Sequence, residues 1–385
     1  MGTRVEGIED TMGEQRGQAG RDTDGISGSG EGRDRDRDRD RPAPARRGLA
    51  IAAWSVAALL VLGAGGGAFA YLKIDGNIRS VDINTQLGDD RPRDIEDGSL
   101  DILVLGSDSR SGANGAYGRD EGAARSDTAM VVHVHEGRKK ASVVSVPRDT
   151  LVTRPECARR DGTSEPAAYR AMFNTAYEVG GPACAVKTVE QMSGVRMDHY
   201  VEVDFTGFKE IIDALGGVQV TTTRPIKDGS SHLDLAPGTH LLDGEQALGL
   251  VRTRKGVGDQ SDLGRIQLQQ AFVKALVEQV GKVGVFTSPQ KLWGLADTAT
   301  RAITTDSELD GVKELTDLAG GLSGLGADDI HMITLPVRYD TVDPNRVVPV
   351  EAQAGQVWQA LLSDRPVPAS ATRDTATGAA ADVVR

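Results

Sequence analysis

No charged side chain interrupts the sequence from Leu49 to Leu72, LAIAAWSVAALLVLGAGGGAFAYL, and this stretch constrains the chain more than any other. At about 1.5 Å of rise per residue, a helix of that length outreaches a hydrocarbon core roughly 30 Å thick. Arg41, Arg46 and Arg47 precede it; Lys73 and Asp75 follow it. The arginine bias places the N-terminus in the cytoplasm and the bulk of the chain outside, as a single-pass protein of the cell membrane. Ala68-Phe69-Ala70 has the form of a signal-peptidase site, so a cleaved export signal is the competing reading. The long polar segment ahead of the span and the length of the apolar stretch favour an uncleaved signal-anchor. The expected organisation is a disordered tail over 1–47, a transmembrane helix over 48–72, a linker over 73–98, a globular domain over 99–363 and a disordered tail over 364–385.

The first tail carries an Arg-Asp repeat from Arg33 to Arg41 and lacks the apolar content to fold. The whole chain has a formal charge of -12 and only 4% aromatic residues. An acidic, aromatic-poor chain argues against nucleic acid as a partner, since such binding rests on phosphate neutralisation and base stacking. Cys157 and Cys184 are the only cysteines, both on the exported side, where an even count favours a disulfide over two reduced buried thiols. A zinc site at these cysteines would need more ligands.

Strand-like runs fall at 100–105, 128–135, 141–146, 199–203, 218–223 and 330–336, with a hairpin turn at 136–140. Helical spacing marks 174–192, interrupted at Gly180-Gly181-Pro182, then 206–215, 243–251 with Asp243 as cap, 262–280, 289–301, 307–322 and 352–362. Strands and helices mixed along one region predict an α/β domain, a central mixed sheet flanked by helices.

Against the acidic background, arginines recur beside glycine and carboxylate. The segments are Asp101-Ile-Leu-Val-Leu-Gly-Ser-Asp108-Ser-Arg110, Arg125-Ser-Asp127-Thr, Pro147-Arg148-Asp149-Thr, Val251-Arg252-Thr-Arg254-Lys255 and Asp262-Leu-Gly-Arg265-Ile-Gln-Leu-Gln269. Guanidinium groups match phosphate oxygens two at a time, and carboxylates among them suit Mg²⁺. Asp108 follows a strand, where ligands of open α/β sheets sit. Arg125 and Asp127 share a strand face, and Arg265 and Gln269 share a helix face. Each segment alone also reads blandly, as a turn aspartate or a surface ion pair. His133-x-His135 shares one strand face, but without an adjacent third ligand it reads as ordinary strand residues. No Gly-x-Ser-x-Gly, His-Glu-x-x-His or Walker-type loop is present, and no serine or cysteine has an evident partnering base.

Together, LGSDSR, RSDTAMVVHV, SVVSVPRDT, DHYVEVDFTGF, DALGGVQV, LDGEQALGLVRTRK and DLGRIQLQQ resemble the LytR-CpsA-Psr family over roughly 100–280. The resemblance implies a membrane-anchored, extracytoplasmic phosphotransferase that moves a glycopolymer from undecaprenyl pyrophosphate onto peptidoglycan as a phosphodiester. It implies a sheet between helices with an apolar tunnel for the polyprenyl chain. By matched position, Asp108 and Asp127 would hold Mg²⁺, with Mn²⁺ as the alternative. Arg125, Arg148, Arg252, Arg254, Arg265 and Gln269 would surround the pyrophosphate, with Arg125, Asp127 and Arg148 closest to the chemistry. Leu268 departs from the family pattern, in which a polar residue often precedes the glutamine. A lipid-pyrophosphate-binding scaffold, a pyrophosphatase and a transcription regulator are the rival readings; acidity and export weigh against the last. The sequence leaves the polymer and the oligomeric state open.

Overall fold

The computed structural model describes residues 67–69, 71–107, 126–159, 161–254, 261–283, 289–373, 375–376 and 383–384. The expected cytoplasmic tail and most of the expected span lie outside them. Among the described residues no helix is long and apolar enough to cross a membrane.

The valine- and leucine-rich runs form the centre of a seven-stranded mixed sheet. In chain order its strands are β1 (Arg79–Val81), β2 (Leu100–Ser107), β3 (Ser126–Val134), β4 (Ala141–Ser145), β5 (His199–Asp204), β6 (Ile303–Asp306) and β7 (Ile330–Thr334). In space they run β1-β6-β5-β2-β3-β4-β7. β2, β3 and β4 form an antiparallel meander, while β5 joins β2 and β7 joins β4 in parallel. Past a helical turn over 71–75, the α-helices are α1 (Asn84–Leu87), α2 (Asn174–Ser193), α3 (Phe205–Ala214), α4 (Gly244–Arg252), α5 (Asp262–Val283), α6 (Pro289–Ala302), α7 (Val312–Leu322) and α8 (Glu351–Leu362) among the described residues.

Successive strand side chains alternate between faces, so each central strand serves two environments. Leu103, Leu105, Ala129 and Val131 enter the main core with Val186 and Val189 of α2 and Val357, Trp358 and Leu361 of α8. The intervening Val104, Gly106, Thr128 and Met130 line a cavity. A smaller core of Ile212, Leu242, Leu250, Leu268 and Phe272 joins α3, α4 and α5. Gly244 permits a close approach there, because a Cβ would stand 2.5 Å from the Lys209 carbonyl oxygen. Asp243 caps α4 in a reciprocal box with Gln246, which fixes where that helix begins.

Cys157 and Cys184 form a disulfide that ties a short strand to α2 beside the break at Gly180 and Gly181. Gly180 is needed there: a Cβ would lie 2.6 Å from the Ala158 carbonyl oxygen and 2.7 Å from Cys184 Cβ.

Three boundaries differ from expectation. The supposed linker over 73–98 belongs to the domain: β1 pairs with β6, Ile83 and Leu87 are buried in the main core, and Arg91 Nε donates to buried Glu190 at 3.1 Å. Its few apolar residues, scattered among polar ones, carry no period that marks an element. The single helix expected over 307–322 divides into a 3-10 turn at Ser307–Leu309 and α7, separated at Asp310-Gly311. Past Asp364, the segment expected to be disordered buries Val367 and Ala371 in the main core. Alanine and valine there read as low complexity because their burial depends on distant partners.

Candidate functional site

β2 ends at Ser107, which pairs with Ser126 of β3 and Asp204 of β5. At this end of the sheet, distant segments meet. Asp127 and Thr128 open β3, and Arg148 and Asp149 follow β4 after Pro147. Arg252 ends α4, and Arg254 follows one extended residue later. Asp262, Arg265 and Gln269 occupy one side of α5, spaced three and four residues apart.

Arg148 Nη1 donates to the Asp127 carboxylate, and Arg148 Nε lies 3.4 Å from Asp262 Oδ1 and 3.6 Å from Asp149 Oδ2. Asp262 Oδ1 is also 2.8 Å from Arg265 Nη2 and 3.4 Å from Arg254 Nη2. Arg265 Nη2 donates to the Asp127 carbonyl at 3.2 Å, and Gln269 Nε2 donates to Thr128 Oγ1 and the Val251 carbonyl, both at 3.0 Å. α5 is thereby fastened to the start of β3 and the end of α4. The Arg254 backbone N–H donates to buried Asp228 at 3.0 Å, and the Arg252 guanidinium lies 4.6 Å from the centre of the Phe205 ring.

Burial pushes the Arg265 guanidinium down to about 10; Asp262 opposes this, while Arg254 and Arg148 reinforce it. It therefore stays charged at neutral pH. Burial also works against the charge on Arg148, but Asp262, Asp127 and Asp149 together hold that group above its ordinary value. The Asp262 oxygens and the Nε atoms of Arg148 and Arg265 are shielded from solvent and make no hydrogen bond of good geometry among the described residues. Such groups are costly to bury and are candidates for ligand contacts.

The adjoining cavity measures about 420 Å³. Val104, Met130, Phe205, Phe208, Leu248 and Phe272 supply much of its apolar lining, and Asp127, Arg252, Arg254, Arg265 and Gln269 its charged and amide side. This arrangement suits an amphiphile with an anionic head and an apolar chain.

Asp127, Arg148, Arg252, Arg254, Arg265 and Gln269 are thus brought together, whereas Asp108, Arg110 and Arg125 lie outside the described residues. For a hard cation, Asp127 supplies the oxygen chemistry that Mg²⁺ requires, at a partly exposed position in the cavity lining. Leu268 is fully buried in the smaller core, so the departure from the family pattern falls on packing and not on the cavity surface. The sequence puts Asp262 in the Arg265 segment but assigns it no site role, although its Asp-x-x-Arg spacing sets it on the Arg265 face. Sequence reading missed Arg346, whose Nη1 lies 3.3 Å from Asp149 Oδ1; no local motif marks that residue.

The model of the LytR_cpsA_psr family matches residues 70–363. The chain belongs to this family, the LytR-CpsA-Psr proteins. It is 31% identical over 310 residues to the cell wall biosynthesis protein LcpA of Corynebacterium glutamicum, covering 73% of this chain and 58% of that one. It is 33% identical over 234 residues to the polyisoprenyl-teichoic acid–peptidoglycan teichoic acid transferase TagT of Bacillus subtilis, covering 58% of this chain and 67% of TagT. The chain thus spans less than two thirds of the length of LcpA. Among solved structures, TagT bound to LI-WTA superposes with a TM-score of 0.52 at 27% identity, covering 71% of this chain and 94% of that one. A LytR-Csp2A-Psr enzyme from Actinomyces oris shares the fold, with a TM-score of 0.55 at 23% identity over 74% of this chain and 95% of that one.

Proposed function

We propose that this protein is a membrane-anchored, extracytoplasmic phosphotransferase that moves a glycopolymer from undecaprenyl pyrophosphate to a peptidoglycan hydroxyl. The observation that carries the reading is the junction of an apolar cavity with Arg252, Arg254 and Arg265, beside Arg148. An amphiphilic pyrophosphate would place its prenyl chain along the cavity and its head among the guanidiniums. TagT, similar in sequence and fold, is named for transfer of teichoic acid to peptidoglycan.

In this reading the acceptor oxygen attacks the phosphorus that carries the glycopolymer. A phosphodiester forms, the bond to the bridging oxygen breaks, and polyprenyl phosphate leaves. Asp127 or Asp149 takes the hydroxyl proton. Arg148 faces the charge that grows on the departing phosphate, while Arg125, Arg252, Arg254, Arg265 and Gln269 position the head. Phosphoryl transfer depends mainly on positioning and charge stabilisation, which clustered arginines beside carboxylates supply. Asp108 and Asp127 would hold Mg²⁺, or Mn²⁺ in its place, and the bound ion would neutralise pyrophosphate charge.

The test uses the full chain in detergent with a short polyprenyl-pyrophosphate-linked sugar and a peptidoglycan fragment, with and without Mg²⁺. Metal-dependent phosphodiester on the acceptor is expected. Tight binding without turnover would replace the enzyme by a scaffold, and acceptor-independent release of polyprenyl phosphate would replace it by a pyrophosphatase.

A further inference from the structure

His133 lies near the end of β3 remote from Asp127, and His135, still extended, follows just past that end on the same face. The turn after α8 brings Asp364 to both rings. Asp364 Oδ1 is 3.1 Å from His133 Nε2 and 2.6 Å from His135 Nδ1. The outer ring nitrogens have partners of their own: His133 Nδ1 meets Asp101 Oδ1 at 2.9 Å, and His135 Nε2 meets Ser142 Oγ at 3.1 Å. The second oxygen of Asp364 accepts from the Glu136 backbone N–H at 3.1 Å.

With its Nδ1–H donated to Asp101, a neutral His133 ring turns the Nε2 lone pair toward Asp364. His135 can likewise donate from Nε2 to Ser142 Oγ, leaving its Nδ1 lone pair on the same oxygen. In that pair of tautomers two imidazole lone pairs and a carboxylate oxygen converge, an arrangement that a bound cation or a shared proton must bridge. The His133 side chain is fully buried, while His135 and Asp364 retain 14% and 18% exposure, which leaves a route for an ion. Metal-bound histidines commonly donate their other ring nitrogen to a carboxylate or similar acceptor, the roles open here to Asp101 and Ser142. The three ligand atoms lie within 4.8 Å of one another. Donor atoms around a tetrahedral zinc stand about 3.3–3.6 Å apart, given bonds of roughly 2.0–2.2 Å, so binding needs side-chain shifts of about an ångström.

We propose that His133 Nε2, His135 Nδ1 and the Asp364 carboxylate form a structural site for a zinc-like divalent transition metal, separate from the arginine cluster. Water completes its coordination, and the ion fastens the turn after α8 to β3. Mixed imidazole and carboxylate donors suit zinc better than Mg²⁺, which prefers oxygen alone. The rival occupant is a proton, with His133 as an imidazolium between Asp101 and Asp364.

The full chain, purified in detergent without a histidine tag and stripped with a chelator, is loaded with Zn²⁺ and desalted. The metal is then counted by mass spectrometry. One equivalent is expected in the parent and in Asp127→Asn, and less than a tenth of that in His135→Ala and Asp364→Asn. Equal zinc in the parent and His135→Ala, or none in either, would overturn the site. Should the variants fail to fold, Co²⁺ binding to the unaltered chain decides. The intense visible bands of four-coordinate cobalt are expected; weak six-coordinate bands, or no uptake, would leave the proton as occupant.

Discussion

Asp262 Oδ1 lies 2.8 Å from Nη2 of Arg265, three residues later on the same helix, and the same oxygen reaches Arg148 and Arg254 at 3.4 Å. One carboxylate therefore serves as counter-ion to three guanidiniums that would otherwise repel one another. Asp262→Asn should destabilise the fold by about 1–3 kcal/mol, below the roughly 3–5 kcal/mol of a fully buried pair because solvent reaches part of the site. Inorganic pyrophosphate should raise the melting temperature of the variant more than that of the parent, since the anion replaces the missing charge. Equal shifts in the two proteins would show that the arginines do not depend on Asp262.

Arg148 bridges Asp127 and Asp262 and sits near Asp149. Its planar fork supports that geometry, whereas lysine offers a single point charge. Arg148→Ala should lower the transfer rate by about 10²–10³-fold, the scale seen when one charge-stabilising donor is removed, with an unchanged circular dichroism spectrum. Arg148→Lys should recover only part of the loss. An Arg148→Ala protein with full turnover would remove this residue from the chemistry.

Val104 projects from the centre of β2 into the cavity, between the core residues Leu103 and Leu105. Val104→Trp should obstruct it at an overpacking cost of about 1–3 kcal/mol. If the cavity holds the prenyl chain, KM should rise for long-chain donors and change little for short ones. A uniform rise across chain lengths would locate the lipid elsewhere.

The sheet centre was legible because β2, β3 and β4 carry dense valine and leucine runs, and α4 because Asp243 and Gln246 spell out its cap. β1 and β6 were not, since three- and four-residue strands give period-two alternation no room to show. At the site, Arg265 and Gln269 were placed together by helix spacing, and Arg148 by its position at a strand end. Asp262 belongs to the Arg265 segment in the sequence but gains its role from Arg148 and Arg254, which local spacing cannot bring near it. The pair His133 and His135 similarly lacked a third partner until the turn after α8 delivered Asp364.

Cys157 and Cys184 close a loop with a sequence separation of 27. On the chain-entropy account, such a crosslink stabilises a fold by about 3–4 kcal/mol by restricting the unfolded chain. Cys157→Ser with Cys184→Ser should lose about that much in denaturant unfolding, and reductant should lower the parent's melting temperature while leaving the double variant's unchanged. A parent insensitive to reductant under unfolding conditions would mean that the bridge contributes little.

His199 Nδ1 lies 3.3 Å from Asp306 Oδ2 where β5 meets β6, with the two side chains 16% and 1% exposed. Burial opposes charge on His199, but Asp306, and then Asp198 and Glu308, outweigh it and raise the imidazole above 6.5. Asp306 moves the other way: burial opposes its charge, and His199 with the N–H groups of Tyr200 and Glu308 holds it below 3.8. The histidine's contribution is therefore complete below its unfolded value near 6.5 and is lost as pH rises through the higher folded value; the aspartate's is lost only in acid. His199→Asn keeps a neutral donor at this position but removes the titrating charge. The parent should exceed the variant in stability near pH 5.5, and the gap should narrow by pH 9, read from urea unfolding at each pH. A gap that stays constant from pH 5.5 to pH 9 would show that the imidazolium–carboxylate pair adds nothing beyond a neutral hydrogen bond.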